Sequence, residues 1–166
     1  MLNQPDFRSY EHAFQMMEQV AGRAGRKDEQ GYVVLQTQDV EASAIKQVVQ
    51  HDYTAMFKEQ MQERSLFGYP PYCRLIYVYM KHRDEKVLDS LSKDYVNMLK
   101  QIFGNRILGP DTPPIAKVQM MYIRKIILKV ELAASMAEAR KRLREIQRYV
   151  TNLPQYKSAL IYYDVD

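Results

Sequence analysis

The sequence is poor in cysteine and contains no long apolar run among its 166 residues. A single thiol excludes an internal disulfide framework and any zinc site built from several thiolates. No segment approaches the roughly 20 apolar residues that a membrane-spanning helix needs, and no apolar signal segment follows Met1. We therefore expect a protein of the reducing cytoplasm that does not cross a membrane and has no metal site of its own.

The two halves of the chain differ in charge. Residues 1–66 contain 7 Lys and Arg against 10 Asp and Glu, whereas residues 67–166 contain 17 against 10. The net charge of +4 thus hides a basic second half. Such a half favours a polyanionic partner, either nucleic acid or acidic protein tails. Solvated Lys and Arg on ordinary helix faces explain the same charge equally well.

Residues 1–72 read as helices around one short strand. Apolar residues at Tyr10, Phe14, Met17 and Val20 keep the spacing of a helix that runs into Gly22. Residues 32–37 (YVVLQT) predict a short buried strand, and residues 41–64 predict two short helices. Residues 67–72 (FGYPPY) end the last helix, because two prolines cannot continue it. We divide the chain into residues 1–40, a helical linker over 41–72, and a domain over 73–166.

Residues 73–166 have the pattern of an α+β domain. The spacing predicts strands over 74–81, 115–121, 122–132 and 158–165, and helices over 84–103 and 134–152. Three prolines between 110 and 114 predict a rigid loop. The order β-α-β-β-α-β is most economically packed as a four-strand antiparallel sheet with two helices on one face.

Residues 19–26 (QVAGRAGR) form the motif that carries chemistry. Gly22 and Gly25 let the backbone turn tightly and leave room for a phosphate. Arg23 and Arg26, three apart at a helix end, can both point at one anion through planar forks of donors. A basic helix end that only satisfies the helix dipole explains the same pattern.

The motif resembles motif VI of superfamily-two helicases. The wider sequence resembles the PriA (primosomal protein N′) family of replication-restart helicases, through LNQPDFR at 2–8, GYVVLQT at 31–37, YPPY at 69–72, LGP at 108–110, PPI at 113–115 and DVD at 164–166. These matches occur in order over nearly the whole chain. The resemblance implies that residues 1–40 end the second RecA-like helicase lobe, of α/β class, and that residues 73–166 are a ribosomal-protein-like β-α-β-β-α-β domain.

The resemblance also implies an activity and its partners. The family unwinds DNA 3′→5′ with ATP at abandoned replication forks and assembles the primosome. The implied cofactors of the full-length protein are ATP and Mg²⁺, with zinc bound upstream of this chain. The implied partners are forked or single-stranded DNA, single-stranded DNA-binding protein (SSB) and primosome proteins, with a monomeric parent.

By the same resemblance, Arg26 is the arginine finger, Arg23 a second phosphate contact and Gln19 a coupling residue, with Gly22 beside the nucleotide. The chain has no Gly-x-x-x-x-Gly-Lys-Ser/Thr phosphate loop. It also lacks the acidic Mg²⁺-holding motif of the first lobe. We therefore expect this chain alone not to hydrolyse ATP.

A basic stripe is the first candidate for DNA binding in residues 67–166. Arg140, Arg144 and Arg148 recur every four residues and fall on one side of the predicted helix. This spacing favours neutralisation of phosphates. An ordinary solvated face, partly offset by Glu138 and Glu145, explains the stripe as well.

The face of the sheet opposite the helices is the second candidate. Alternation places Tyr77, Tyr79 and Tyr162 on it, together with Lys125 and Lys129. Tyrosines interleaved with lysines are typical of platforms on which bases stack. The same pattern fits a face that packs against a helicase lobe or is simply solvated.

A non-enzymatic docking module for SSB or a primosome partner is the competing function. An acidic protein tail would also use Arg140 or Arg144. DNA binding falls steeply with salt and does not need SSB, whereas a docking module binds the tail peptide with little preference for forks.

Overall fold

The computed structural model describes residues 6–26 and 29–166, and for residues 25, 26, 29 and 30 it describes the backbone only. The chain forms two compact units, one ending at Phe67 and the other beginning at Gly68. Across the described residues, no helix combines the length and apolarity that crossing a membrane requires.

The first unit is mainly helical. Its described residues form, in chain order, α1 Ser9–Ala21, β1 Gly25–Arg26, β2 Glu29–Gln30, α2 Ser43–Val49 and α3 Tyr53–Phe67. Strand β1 pairs antiparallel with β2, and these two are the only strands among the described residues of this unit.

One apolar residue from each helix builds the core of the first unit. Phe14 of α1, Val48 of α2 and Met56 of α3 are buried against one another. The hydroxyl of Tyr10 lies 2.9 Å from the Ser43 Oγ and donates to the Gln47 Oε1 at 2.9 Å. Of the helical series read from the sequence, Phe14 is in this core and Tyr10 and Met17 pack against it, whereas Val20 is 53% exposed.

The strand predicted over residues 32–37 is wrong. This segment has no regular secondary structure, and its side chains Tyr32 and Val34 are 89% and 91% exposed. A strand needs a neighbour that satisfies its backbone groups. Among the described residues of this unit, the other strands are β1 and β2, and each pairs with the other.

The second unit has a sheet covered by two helices. Its helices and strands are, in chain order, β3 Cys73–His82, α4 Glu85–Phe103, β4 Ile107–Asp111, β5 Lys117–Val118, β6 Met121–Glu131, α5 Met136–Thr151 and β7 Leu160–Val165. The sheet has five antiparallel strands in the order β4-β6-β3-β7, with β5 also paired to β6.

The α+β class is confirmed, but the sheet has five strands rather than four. The strand after α4, β4, ends at Asp111 and so extends into the segment predicted as a rigid loop, and only Lys117–Val118 is strand within 115–121. Strand β4 lies at the edge of the sheet, where a residue without an N–H donor is tolerated. Pro110 in β4 is therefore compatible with a strand, although prolines in this segment led us to predict a loop from the sequence.

Both helices pack on one face of the sheet, as predicted. Alternate residues of β3 and β6 form one buried cluster with the apolar sides of α4 and α5. On β3 these residues are Ile76, Val78 and Met80, each fully buried. The other face of the sheet must then present Tyr77 and Tyr79.

Caps and one ion-pair cluster fix the helices on this face. The Asp84 carboxylate accepts hydrogen bonds from the first backbone N–H groups of α4, and Ser135 caps α5 in the same way. Arg124 of β6 reaches across to α4, where it lies 2.8 Å from Glu85 and 2.7 Å from Asp89. The helix-facing side of β6 is thereby tied to α4.

Candidate nucleic-acid interface

Three tyrosine rings lie in a row across the sheet face that α4 and α5 do not cover. Tyr79 of β3 and Tyr162 of β7 are direct partners in the antiparallel register. Their ring centroids are 5.2 Å apart and the ring planes differ by 14°, so the rings are stacked. Tyr77 is next along β3, with its centroid 6.4 Å from that of Tyr79. The row is therefore an aromatic surface that extends over two strands, named here the tyrosine row.

Lysine side chains lie on these rings. The Lys125 Nζ is 4.3 Å from the centroid of Tyr77 and 6.0 Å from that of Tyr79. The Lys81 Nζ is 4.9 Å from the centroid of Tyr162. Each cation–π contact of this kind contributes about 0.5–1 kcal/mol at an exposed site. The contacts place positive charge directly over flat apolar surface.

Lys129 is on the same face but contacts a different ring. Its Nζ is 4.2 Å from the centroid of Tyr69, which belongs to the segment before β3. Of the residues predicted to bind DNA on this face, Lys125 and Tyr77 are thus in contact, whereas Lys129 contacts a ring outside the tyrosine row. Lys81 was not singled out in the sequence, although the alternation that selects Tyr77 and Tyr79 also selects it.

Acidic residues reduce the charge of this face only in part. Asp164 of β7 is opposite Tyr77 in the register and is exposed. Glu131 ends β6 and pairs with Arg106 at 3.0 Å. Asp111 of β4 is the register partner of Lys125 and is exposed, so this face carries both signs of charge, with Lys81 and Lys125 held against the rings.

The predicted basic stripe is present on α5. Arg140, Arg144 and Arg148 are exposed and, with Lys141, line a shallow groove of about 440 Å³. The nearby carboxylates of Glu138 and Glu145 form ion pairs with Arg142, at 2.9 Å and 3.2 Å, and not with the arginines of the stripe. Within the described part of the chain, the three stripe arginines form no ion pair.

A second, more apolar groove of about 210 Å³ lies between α5 and the neighbouring strands. Arg140 and Arg144 stand at its rim, and its floor comprises Ile76, Leu143, Tyr163 and Val165. Burial raises the pKa of Tyr163, while its hydrogen bond with Tyr95 and the charge of Arg144 oppose that rise. The two hydroxyls are 2.7 Å apart. The phenol therefore stays neutral at physiological pH and serves as a structural hydrogen-bonding group.

The motif residues 19–26 lie in the first unit. Gln19 is exposed in the last turn of α1, and Arg23 is exposed in the turn that follows. Gly22 ends the helix with a φ of −67°, which any residue adopts, so the expected tight glycine turn is not found at this position. Arg26 is in β1, opposite Glu29, and its side chain lies outside the described part of the structure. The phosphate-binding roles of these residues stay predictions.

The described ranges contain no group of three or more His, Cys, Asp or Glu residues arranged to hold a metal ion. Cys73 is buried, and burial raises the pKa of its thiol. Its Sγ donates to the backbone oxygen of Gly68 at 3.0 Å. A thiol in this state is a packed side chain and a poor nucleophile.

Comparisons with known proteins identify a family for residues 65–166 and curated relatives for most of the chain. Residues 65–166 match the family described as the primosomal protein N C-terminal domain. The protein named replication restart protein PriA is 32% identical in Bacillus subtilis over 87% of this chain, and 34% identical in Haemophilus influenzae over 97% of it. The aligned parts are 18% and 22% of those relatives, so the chain spans about a fifth of their length. A solved designed protein, Foldit4, superposes on 57% of this chain and 96% of its own with a TM-score of 0.43 and 12% identity, which is too distant for any argument.

Proposed function

The chain belongs to the primosomal protein N C-terminal domain family, and we propose from this that it is the C-terminal part of an ATP-dependent replication-restart helicase. Within it, the second unit binds DNA through the tyrosine row. The first unit contributes Gln19, Gly22, Arg23 and Arg26 to the ATP site of the full-length protein. ATP, Mg²⁺ and zinc would be bound mainly by the rest of that protein, and this chain alone would be inactive.

The contact of lysines with stacked tyrosines carries the proposal for DNA. Unpaired bases stack on aromatic side chains, and each base so held contributes about 1–3 kcal/mol. Lys81 and Lys125 lie against the rings, and when a base replaces them on a ring face they can reach the phosphates on either side of it. Double-stranded DNA hides the faces of its bases. The tyrosine row therefore favours a single strand or the unpaired arm of a fork.

We expect binding of labelled single-stranded DNA to depend steeply on salt. Three phosphate contacts, from Lys81, Lys125 and Lys129, give a slope near −2 in log K against log salt, or about a 20-fold loss of affinity between 50 and 200 mM. Fluorescence anisotropy of the 166-residue chain measures it. Replacing both Lys81 and Lys125 with glutamine is expected to reduce the slope by about 0.7 for each lysine, which leaves a slope near −0.7.

The matched control carries the same change of charge elsewhere. Lys86 and Lys93 are exposed on α4, which packs on the opposite face of the sheet. Lys86→Gln with Lys93→Gln should leave the salt slope unchanged. Equal losses in the two double variants, or no binding by the original chain at low salt, would show that the tyrosine row does not bind DNA.

The aromatic contribution has its own test. Tyr162 is 41% exposed and is the outermost ring of the row. Tyr162→Leu keeps the apolar volume but removes the aromatic face, and we expect about a 10-fold loss of affinity for single-stranded DNA. Tyr162→Phe keeps the ring and should bind within twofold of the original chain. Equal affinity of the leucine and phenylalanine variants would contradict stacking.

A docking module for SSB or another primosome partner is the second candidate, and the groove beside α5 favours it. The groove has an apolar floor with Arg140 and Arg144 at its rim, which suits a short acidic segment with apolar side chains. Binding of the SSB tail peptide, measured by calorimetry, would support this function. Arg144→Gln should weaken peptide binding and leave DNA binding by the tyrosine row intact.

A further inference from the structure

The hairpin between β5 and β6 has a turn whose residues do not suit it. The register pairs Lys117 with Tyr122 and Val118 with Met121, so Gln119 and Met120 form a two-residue turn. Both residues have positive φ, 48° for Gln119 and 65° for Met120. Two-residue hairpin turns of this kind favour Asn-Gly, because other side chains are strained at positive φ.

Packing does not explain the methionine at this position. Met120 is 72% exposed, and Ile115 and Val118 nearby are 66% and 39% exposed. An apolar residue that is both strained and solvated gives the fold no obvious stability. Backbone strain of this sort concentrates at functional positions. The hairpin tip is therefore a candidate contact with another molecule.

The tip is held firmly and is close to positive charge. Strand β6 runs for eleven residues and pairs with β3, β4 and β5, so the hairpin extends from the centre of the sheet. Lys117 of β5 pairs with Tyr122 of β6, two residues before the turn begins at Gln119. Its Nζ is 4.4 Å from the centroid of the Tyr122 ring. Arg83 and Asp84 line the groove beside Met121, and the Asp84 carboxylate is engaged in capping α4. These charges favour a polyanion at the tip.

The tip also lies in line with the tyrosine row. Met121 and Lys125 are on the same strand and the same face, four residues apart. A strand rises about 3.4 Å per residue, so the two are separated by about 14 Å. That distance corresponds to a few nucleotides of single-stranded DNA. A DNA strand whose bases stack on the tyrosine row can therefore continue directly to the hairpin.

We propose that Met120 acts as a wedge that enters the base stack at the branch point of forked DNA and separates the first base pair. The proposal depends on the proposed DNA binding by the tyrosine row, which would hold the released strand. Methionine is among the apolar side chains that proteins insert between base steps. An exposed thioether at the end of a hairpin that is paired into the sheet has the chemistry for this contact.

A forked DNA with 2-aminopurine in the branch-point base pair tests the wedge, because this base fluoresces more strongly when it is unstacked. We expect the 166-residue chain to raise the signal severalfold. Met120→Asn tolerates positive φ but removes the apolar side chain. This variant should no longer raise the fluorescence. Its affinity for single-stranded DNA should be unchanged, and the ratio of its affinity for forks to its affinity for single strands should fall about 10-fold.

Two controls separate the wedge from the turn that carries it. Met120→Leu keeps an apolar side chain and should retain the signal. Gln119→Asn relaxes the turn, keeps Met120 and should also retain it. A thermal unfolding temperature of Met120→Asn equal to or above that of the original chain excludes misfolding as the cause of its loss.

The outcomes distinguish the wedge from the function on which it depends. Fork binding without a rise in fluorescence, or an unchanged signal in Met120→Asn, would overturn the wedge and leave DNA binding intact. A hairpin used for protein contact would give this result. Failure of the original chain to bind either DNA at low salt would overturn both proposals.

Discussion

Replacing Arg26 with alanine in the full-length helicase that we propose to contain this chain is expected to lower its DNA-stimulated ATP turnover by about 10³-fold. The proposed finger places a permanent positive charge against the transferring phosphoryl group, where negative charge develops in the transition state. Steady-state phosphate release measures the loss. Because the contact acts mainly in the transition state, the affinity for ATP should fall far less than the turnover.

The control for this prediction is an arginine with no proposed role in the ATP site. Arg142 on α5 is held by Glu138 and Glu145, so Arg142→Ala removes the same charge from an existing surface ion-pair cluster. Its ATP turnover should stay within twofold. Arg23→Ala should weaken ATP binding as well as turnover, as expected of a phosphate contact. A loss of ATP turnover below tenfold in Arg26→Ala would contradict the assignment of Arg26 as the arginine finger.

Gly109→Ala is expected to destabilise the second unit by about 3 kcal/mol or more. The residue has a φ of +99°, and a Cβ there would be 2.9 Å from the backbone oxygen of Lys125. The strained backbone costs about 1–3 kcal/mol by itself, and the contact forces β4 away from β6. The midpoint of urea denaturation, followed by circular dichroism, reports the change. The displaced carbonyl also belongs to a lysine of the proposed interface, so DNA affinity should fall too.

Gly104→Ala is the matched control for this steric argument. Gly104 also has positive φ, at 58°, but a Cβ there meets nothing within 4 Å. Its ψ of −131° is also rare for L residues, so its substitution should cost about 1–3 kcal/mol from backbone strain alone, without the added steric contact. Equal destabilisation by the two alanines would show that the close approach of β4 and β6 is not what requires glycine at 109.

The sequence predicts the second unit well where one face of an element is buried. Alternation along residues 74–81 separates Ile76, Val78 and Met80 from Tyr77 and Tyr79 because only one face of the sheet packs on helices. The helix over Glu85–Phe103 is equally readable from its buried stripe. Such patterns reflect local geometry and burial, which a sequence records directly.

The sequence fails where neighbours decide the outcome. Strand β4 was missed because Pro110 reads as a loop residue, and only its position at the sheet edge permits a strand there. Residues 32–37 have the composition of a strand but no partner strand among the described residues of the first unit. Composition reports what a segment tolerates, whereas pairing depends on distant residues.

The candidate site divides in the same way. Alternation identifies the residues of the tyrosine row, yet the contact of Tyr79 with Tyr162 follows from strand order, which places β3 between β6 and β7. The strained turn at Gln119 and Met120 carries no turn signal in the sequence at all, since neither residue favours positive φ. Its geometry comes from the register of β5 on β6.

The pairing of β3 with β7 also bears on how this unit folds. It joins residues that are roughly 80 to 90 positions apart in the chain, with both helices and three strands between them. Contacts of such long range form slowly, because the entropy of closing the intervening loop must be overcome first. The stacked pair of tyrosines can exist only after this closure. During refolding, binding of single-stranded DNA should therefore be recovered later than the helical signal of α4, which depends on contacts close in sequence.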